Sequence, residues 1–339
     1  KPVDSSNSSP TFTNIDERRV FIAGTGSGSI VCSNARTGEP IWRTTISTGG
    51  VNASVLLYGD DKVIAVHGKE NIDSTSKGRM VCYRMPSKYP TGDKPVILGE
   101  ADEVWRNDEH VSFSSSPTLH DGLIYTTIAT GSLLCVDADT GKTLWSLKLG
   151  PDQLHASPLY ADGKLYVPMA EGNVFVVKPH DDHGEIISEA EMGAVCLAAP
   201  SAYEGKVYVQ TKEALHCFGN EKGKFVGVKT SVAKVKDKKI AALQVVPAEI
   251  ALMQGQSVDF TVWGLNAVGQ RVKRISGASW DTGSLGASLK GNSLTVAKDA
   301  RHAAGVIKAS ANGLTTAIRA RIVAGPSYSE DFESFELTN

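Results

Sequence analysis

Residues 115–145 read SSPTLHDGLIYTTIATGSLLCVDADTGKTLW, and variants of this stretch recur along the chain. A close copy occupies residues 8–42, and further copies begin near residues 53, 156 and 198. Each copy has a short apolar strand, a turn of Asp-Gly type, a second strand with alternating apolar residues, and a third strand. A unit of about 40 residues that holds four short strands is typical of one β-propeller blade.

The register of the repeat is set by a small-small-Pro start. This proline, or its replacement, occurs at Pro10, Val55, Pro117, Pro158 and Pro200. Successive starts are therefore 45, 62, 41 and 42 residues apart, and the long step contains inserted loops at 69–77 and 86–94. A single sheet cannot bury both of its faces without neighbours. The sequence predicts an all-β protein that begins with a partial or complete propeller, of which five four-stranded blades are visible.

An Asp-x-x-Thr-Gly-x-x-x-Trp pattern joins the last two strands of the clearest copies. Glycine suits a tight turn there, and the tryptophan offers a large apolar surface to the adjacent blade. The residues predicted to dock one blade on the next are Gly38, Trp42, Trp105, Gly141 and Trp145.

Four of the five cysteines occupy one equivalent position of the repeat: Cys32, Cys82, Cys135 and Cys217. Equivalent positions of successive blades should lie too far apart for a disulfide, so we expect small buried side chains.

The stretch GSLLCVDADTGKTLW at residues 131–145 resembles the pyrroloquinoline-quinone-type propeller repeat. The resemblance covers about two thirds of the chain. Propellers of that family usually have about seven or eight blades. The resemblance therefore implies either further blades upstream of Lys1 or an unusual closure of the ring. Quinoprotein alcohol dehydrogenases, the lipoprotein of the outer-membrane assembly machinery and many exported bacterial multidomain proteins share the repeat, so it does not fix a function.

The sequence changes character after the repeats. Short alternating strands separated by turn signals predict a β-sandwich. It resembles the bacterial group-2 immunoglobulin-like family, with Trp280 as the core tryptophan. The predicted organisation is a propeller at 1–228, a basic linker at 229–240, the sandwich at 241–324, and a tail or the start of a further truncated module at 325–339.

Composition argues against several classes of protein. The net charge is −2 and charged residues make up 21% of the chain, so nothing indicates a nucleic-acid partner. No apolar run reaches the roughly 18 residues that a transmembrane helix needs. The resemblances imply a bacterial extracytoplasmic location: periplasm, outer membrane or cell surface.

Candidate site residues are few. Polar residues that precede the first strands of blades three and four predict a ligand-binding channel mouth: His110, Ser112, Ser114, Gln153 and His155. No metal site is predicted, although His180, Asp182 and His183 are possible ligands within four residues. No catalytic residue and no cofactor are predicted.

The main hypothesis is a non-enzymatic scaffold whose propeller binds a protein or glycan, with the sandwich as a spacer. Missing upstream blades of the same polypeptide are a further possible partner. One alternative is a quinoprotein oxidoreductase that uses pyrroloquinoline quinone with calcium held by blades outside this chain. Another is an outer-membrane assembly factor. The sequence thus leaves enzymatic activity undecided and favours a non-enzymatic role.

Overall fold

A computed structural model describes residues 4–90, 94–151, 155–219 and 235–325. The chain divides into two compact units, Lys1–Thr230 and Ser231–Asn339. Within the described ranges, no helix is long and apolar enough to cross a membrane.

The first unit consists of five sheets in chain order, here called blades one to five, and consecutive strands within each blade's own repeat pair antiparallel. Blade one contains β1 (Thr11–Ile15), β2 (Arg18–Gly24), β3 (Ser29–Asn34) and β4 (Pro40–Thr45). Blade two contains β5 (Leu56–Tyr58), β6 (Lys62–Glu70), β7 (Lys77–Arg84) and β9 (Glu103–Asn107). Between β7 and β9, the strand β8 (Val96–Ile97) adds to blade one in parallel with β4, and Glu100–Asp102 form one 3₁₀ turn.

The other three blades follow the same order. Blade three contains β10 (Thr118–His120), β11 (Leu123–Thr127), β12 (Ser132–Asp137) and β13 (Thr143–Lys148). Blade four contains β14 (Leu159–Ala161), β15 (Lys164–Pro168), β16 (Asn173–Pro179) and β17 (Gly184–Glu191). Blade five has three strands within the described ranges, β18 (Ser201–Tyr203), β19 (Lys206–Gln210) and β20 (Leu215–Gly219). The predicted all-β propeller is confirmed.

The strand register repeats from blade to blade. Cys32 pairs with Trp42, Cys82 with Trp105 and Cys135 with Trp145, and Val176 pairs with Ser188 at the same place in blade four. A β-bulge directly follows each of these four pairs. A bulge increases the local twist of a strand. The same bend is therefore built into four blades.

The Asp-x-x-Thr-Gly turn is held by its first residue. Asp137 Oδ1 accepts the backbone N–H groups of Asp139 and Thr140 at 3.1 and 2.8 Å, and Asn34 accepts those of Arg36 and Thr37 in blade one. Such Asx turns explain why Asp or Asn begins the motif.

Tryptophans connect consecutive blades. Trp105 of blade two is buried and donates its indole N–H to the carbonyl of Ala138 in the turn of blade three, at 3.0 Å. Trp145 of blade three donates in the same way to the carbonyl of His180 in blade four, also at 3.0 Å. Trp42 lies fully buried in the core shared by blades one and two. Each side chain buries a large apolar surface and anchors it by direct contact with the next sheet.

The outer face of blade five is not covered by another described sheet. Val207 and Val209 pack toward blade four, so Tyr208 and its pair Cys217 point the opposite way. Cys32, Cys82 and Cys135 are completely buried, as expected, but Cys217 is exposed. The prediction of burial was wrong for Cys217, because its blade has no described neighbour on that side. At the other end of the array, Phe12 of blade one is half exposed.

Thiol reactivity provides a direct test of this arrangement. In the native protein we expect a thiol reagent such as DTNB to modify one cysteine of five, Cys217, within minutes. The other four are buried, and burial raises the pKa of Cys32 and of Cys82 to about 12. Denaturant should release all five thiols, and Cys217→Ser should abolish the native reaction. Rapid modification of two or more native cysteines would contradict the packing described.

The second unit contains three small sheets around one apolar core. The first sheet is β21 (Ala242–Val246), β24 (Thr261–Leu265) and β25 (Arg271–Ile275). The second is β22 (Glu249–Met253), β30 (Leu314–Val323), β29 (Ala303–Ala311) and β26 (Ser279–Asp281), in which β22 and β30 run parallel. The third is β23 (Ser257–Asp259), β28 (Ser293–Val296) and β27 (Ala287–Lys290).

The tryptophan predicted for this core lies at its margin. Trp280 is half-buried, packs against the core and stacks on Phe260, with 5.1 Å between ring centroids. The immunoglobulin-like assignment stays a prediction, as do the proposed domain limits. The division between the two compact units falls between Thr230 and Ser231.

Candidate functional site

A cavity of about 660 Å³ lies where the starts of all five blades meet. Each blade contributes the residue just before its first proline, or before the valine that replaces it: Ser9, Ser54, Ser116, Ser157 and Ala199. Equivalent residues of five successive sheets can surround one cavity only if the sheets are arranged radially. This axial cavity therefore marks the axis of the propeller, where propellers have a central channel.

The serines around the axial cavity form a hydrogen-bonded ladder. The backbone N–H of Ser9 donates to Ser54 Oγ at 3.0 Å, that of Ser54 to Ser116 Oγ at 2.9 Å, and that of Ser116 to Ser157 Oγ at 2.8 Å. These three hydrogen bonds link blade one to blade two, blade two to blade three, and blade three to blade four.

Two of the sequence-predicted residues meet at the axial cavity. Ser114 Oγ and His155 Nδ1 form a hydrogen bond of 2.7 Å, and both residues line the cavity. Gln153, the third residue predicted nearby, lies outside the described residues. Within those residues, Ser114 and His155 are the members of the predicted channel mouth that the fold brings together.

His110 and Ser112 are placed elsewhere. Both are buried: His110 Nε2 contacts Thr143 Oγ1 at 2.9 Å, and Ser112 donates to the carbonyl of Ser115. Burial lowers the pKa of His110 to about 4, so its imidazole is neutral at physiological pH. Neither residue lines the axial cavity, because its side chain points into the packing of the blades.

The possible metal ligands in blade four pair with carboxylates. His180 contacts Glu185 at 3.0 Å and His183 contacts Asp182 at 2.7 Å, while the two imidazoles stack. In the part of the chain that the structure describes, no group of three His, Cys, Asp or Glu side chains is placed to hold a metal ion. The loop is polar and solvent-exposed.

A second cavity, of about 530 Å³, opens on the rim between blades one and two. Two of its lining residues, Ile72 and Ile97, are more than half exposed at 53% and 59%. Ile72 belongs to the inserted loop after β6, and Ile97 belongs to β8. Sequence analysis identified inserted loops at 69–77 and 86–94, but it could not show that Ile72 of the first loop and Ile97, which lies beyond the second, line the same cavity.

An ion-pair network forms part of the wall of the rim cavity. The buried Arg79 guanidinium donates to both carboxylate oxygens of Asp73, at 2.8 and 3.1 Å, and also to Asp108. Arg106 bridges Asp73 and Glu103. Hydrogen bonds from Arg79 hold the pKa of Asp73 at about 2, so this carboxylate remains charged. A bidentate arginine–carboxylate pair fixes the relative orientation of the two side chains. The loop that carries Ile72 is therefore held in place through its neighbour Asp73.

Pyrroloquinoline quinone, the cofactor of the dehydrogenases that share this repeat, does not fit the axial cavity. That cofactor carries carboxylates and is held with calcium, so it needs cationic side chains and metal-binding carboxylates. Apart from the imidazole of His155, no described lining side chain can carry a charge.

Comparison with known proteins gives a match for the repeat region. A family model described as outer membrane protein assembly factor BamB matches residues 4–81 and 97–183. Outer membrane protein assembly factor BamB of Burkholderia pseudomallei (strain K96243) is 24% identical over 185 residues, which are 47% of this chain and 49% of that protein. The 1-butanol dehydrogenase (cytochrome c) of Thauera butanivorans is 37% identical over 102 residues, which are 28% of this chain and 14% of the enzyme.

The chain thus spans about half the length of the first relative and much less of the second. Among solved structures, BamB from Moraxella catarrhalis superposes with a TM-score of 0.44 at 17% identity, over 92% of this chain and 83% of that one. The five repeated sheets show that the first unit is a β-propeller, and the sequence matches over residues 4–81 and 97–183 support a repeat of the pyrroloquinoline-quinone-like type.

Proposed function

We propose that this chain is a non-enzymatic scaffold of an exported bacterial multidomain protein, and that its propeller binds a protein partner at the rim cavity. The exposed pair Ile72 and Ile97 above the buried Arg79 carries the proposal. Exposed apolar residues surrounded by charged ones are typical of protein interaction sites. A rigid base reduces the ordering cost of binding, because less side-chain and loop entropy is lost.

The relatives support the same role. The name of the first relative describes a factor for the assembly of outer membrane proteins, and this favours a protein over a glycan as the partner. Their name also supports a location in the bacterial envelope outside the cytoplasm. Residues 241–324 would then act as an immunoglobulin-like spacer. An assembly factor in the strict sense is the narrower form of this proposal.

A quinoprotein oxidoreductase is the alternative, supported by the 102-residue match to 1-butanol dehydrogenase. Under this alternative, pyrroloquinoline quinone and calcium would bind to blades outside this chain, since the axial cavity lacks suitable ligands. Saturable micromolar binding of the quinone in the presence of calcium by a longer polypeptide that includes those blades, and not by this chain alone, would favour the alternative.

We also propose that further blades of the same polypeptide cover the outer faces of blades one and five. Cys217 and Phe12 support this idea, since the cysteines equivalent to Cys217 are buried and the residues equivalent to Phe12 are half-buried against a neighbouring sheet. In a longer polypeptide that includes such blades, Cys217 should stop reacting with thiol reagents. Continued reactivity there would contradict it.

The rim proposal is tested by site-specific photo-crosslinking in the source bacterium. A benzoylphenylalanine at position 72 or 97 should give one discrete crosslinked protein, and the same probe at Leu144 should not. Leu144 is a matched control because it is also exposed, on the outer strand of blade three.

The purified partner then provides the quantitative test. Ile72→Asp combined with Ile97→Asp should weaken binding at least about 100-fold, because central apolar contacts dominate protein interfaces. Leu144→Asp should leave the affinity within about twofold. Equal affinity for the parent and the double variant would sink the rim proposal.

A further inference from the structure

We propose that the axial cavity binds an uncharged, extended peptide segment of the partner protein, through hydrogen bonds from the serine ladder to main-chain carbonyl groups. The inference deepens the proposed function and rests on it. It concerns a different surface from the rim cavity, so the two can fail separately.

The serine ladder presents hydrogen-bond donors to the axial cavity. A hydroxyl group has one donor and can accept two hydrogen bonds. Ser54, Ser116 and Ser157 each accept a backbone N–H from the preceding blade, and among the described residues no acceptor is found for their own hydroxyl hydrogens. Three O–H groups from successive blades are therefore available to a ligand that carries acceptors, as a peptide main chain does.

His155 adds a directed ring nitrogen. Its Nδ1 is occupied by the 2.7 Å contact with Ser114, which fixes the plane of the imidazole. The exposed ring leaves Nε2 for a ligand. Because the Ser114 hydroxyl can donate or accept, Nε2 can serve a carbonyl or an N–H group. A peptide bond presents both.

The lining also selects against charge. No Asp, Glu, Lys or Arg is found in the described lining, so a charged ligand group would lose water without gaining an ion-pair partner. Prolines and leucines complete the wall. An uncharged peptide matches this mixture, since its carbonyls meet the hydroxyls and its small apolar side chains meet the wall.

The axial cavity has a polar side and an apolar side. Blades one to four supply serines, but blade five has Ala199 at the equivalent position and the exposed Leu197 beside it. The ladder therefore ends at Ser157. A ligand is expected to place a carbonyl-rich stretch along blades two to four and an apolar side chain against Leu197.

Binding can be measured by fluorescence anisotropy with the whole chain. The probes are labelled twelve-residue peptides of Ala, Val, Ser and Gly, with versions that carry two Glu or two Lys. We expect the uncharged peptide to bind at least about tenfold tighter than either charged version. Ser116→Ala and Ser157→Ala should each weaken it about three- to tenfold, which corresponds to one neutral hydrogen bond.

Conservative variants separate binding from folding. Ser157→Thr keeps the hydroxyl and should retain the affinity, and Ser146→Ala, on the exposed strand β13, should change nothing. Ala199→Ser extends the ladder and should tighten binding about threefold. Leu197→Lys should weaken the uncharged peptide and strengthen the Glu-containing one.

Two results would overturn the inference. One is equal affinity for charged and uncharged peptides; the other is binding of a neutral dextrin, competed by no peptide, that is lost in Ser116→Ala. If the partner still crosslinks at positions 72 and 97 while the ladder variants bind all peptides like the parent, the scaffold proposal stands and this inference falls.

Discussion

Acidification from pH 7 to pH 4 is expected to lower the unfolding free energy of the first unit by about 6 kcal/mol through two buried histidines. His67 and His110 have at most 1% of their surface exposed. Burial, aided by the charge of Arg79, lowers the pKa of His67 to about 4, and burial lowers that of His110 to about 4. In the unfolded chain their pKa is near 6.5, so the unfolded state takes up protons first as the pH falls. Stability is therefore complete above pH 6.5 and is lost progressively down to pH 4.

Each histidine accounts for about 3 kcal/mol of this loss. Urea unfolding at pH 7, 6, 5 and 4 measures it. His67→Gln and His110→Gln should each flatten the pH dependence by about half, whatever their effect on stability at pH 7. His120→Gln, at a half-exposed position of the same unit, leaves both buried imidazoles in place and should keep the slope of the parent. Buried-site variants with an unchanged slope would show that these imidazoles do not titrate as the fold requires.

Gly141→Ala is expected to destabilise the propeller by about 2–5 kcal/mol. Gly141 has φ +71° and lies against the ring of Trp105 from the preceding blade, so that a Cβ atom would overlap the indole. Two costs add: a left-handed backbone with a side chain, about 1–2 kcal/mol, and displacement of a packed tryptophan, about 1–3 kcal/mol.

Gly38 provides the control for this variant, since it occupies the same turn in blade one. Its φ is +76°, but no atom lies within 4 Å of its Cβ position. Gly38→Ala should therefore cost only about 1–2 kcal/mol. Combining Gly141→Ala with Trp105→Leu should show coupling, because the smaller side chain relieves the overlap. Equal effects of the two alanine variants would mean that Trp105 does not rest on the turn.

The repeat itself was predictable because its signals are local. The small-small-Pro start, the Asp-x-x-Thr-Gly turn and the spacing from Cys135 to Trp145 all lie within one blade, and they fixed a register that the strand pairing confirms. The same register continues in blade four, where Val176 pairs with Ser188 although the tryptophan is absent.

Features that depend on neighbours could not be predicted in this way. Cys217 occupies the same repeat position as Cys135, opposite a tyrosine, and its exposure differs because no described sheet covers it. Arg79 forms an ion pair with Asp108, which is 29 residues away in the sequence. Ile72 and Ile97 line the same cavity because β8, which follows β7 of blade two, adds to the sheet of blade one. His110 was assigned to the channel mouth by its place before a strand, but side-chain direction depends on the twist of the finished sheet. The serines were recognised as register marks, and their shared ladder became visible only with the blades side by side.

The short strand β8 has a mechanical consequence. It is covalently part of the insertion of blade two, yet it hydrogen-bonds to the outermost strand of blade one through Trp42 and Arg43. The sheets of blades one and two are thus joined by hydrogen bonds at their outer edge as well as by the serine contacts near the propeller axis. Under tension, blade one cannot separate from blade two until the hydrogen bonds between β4 and β8 have broken. Blades that lack such a strand are therefore expected to separate first.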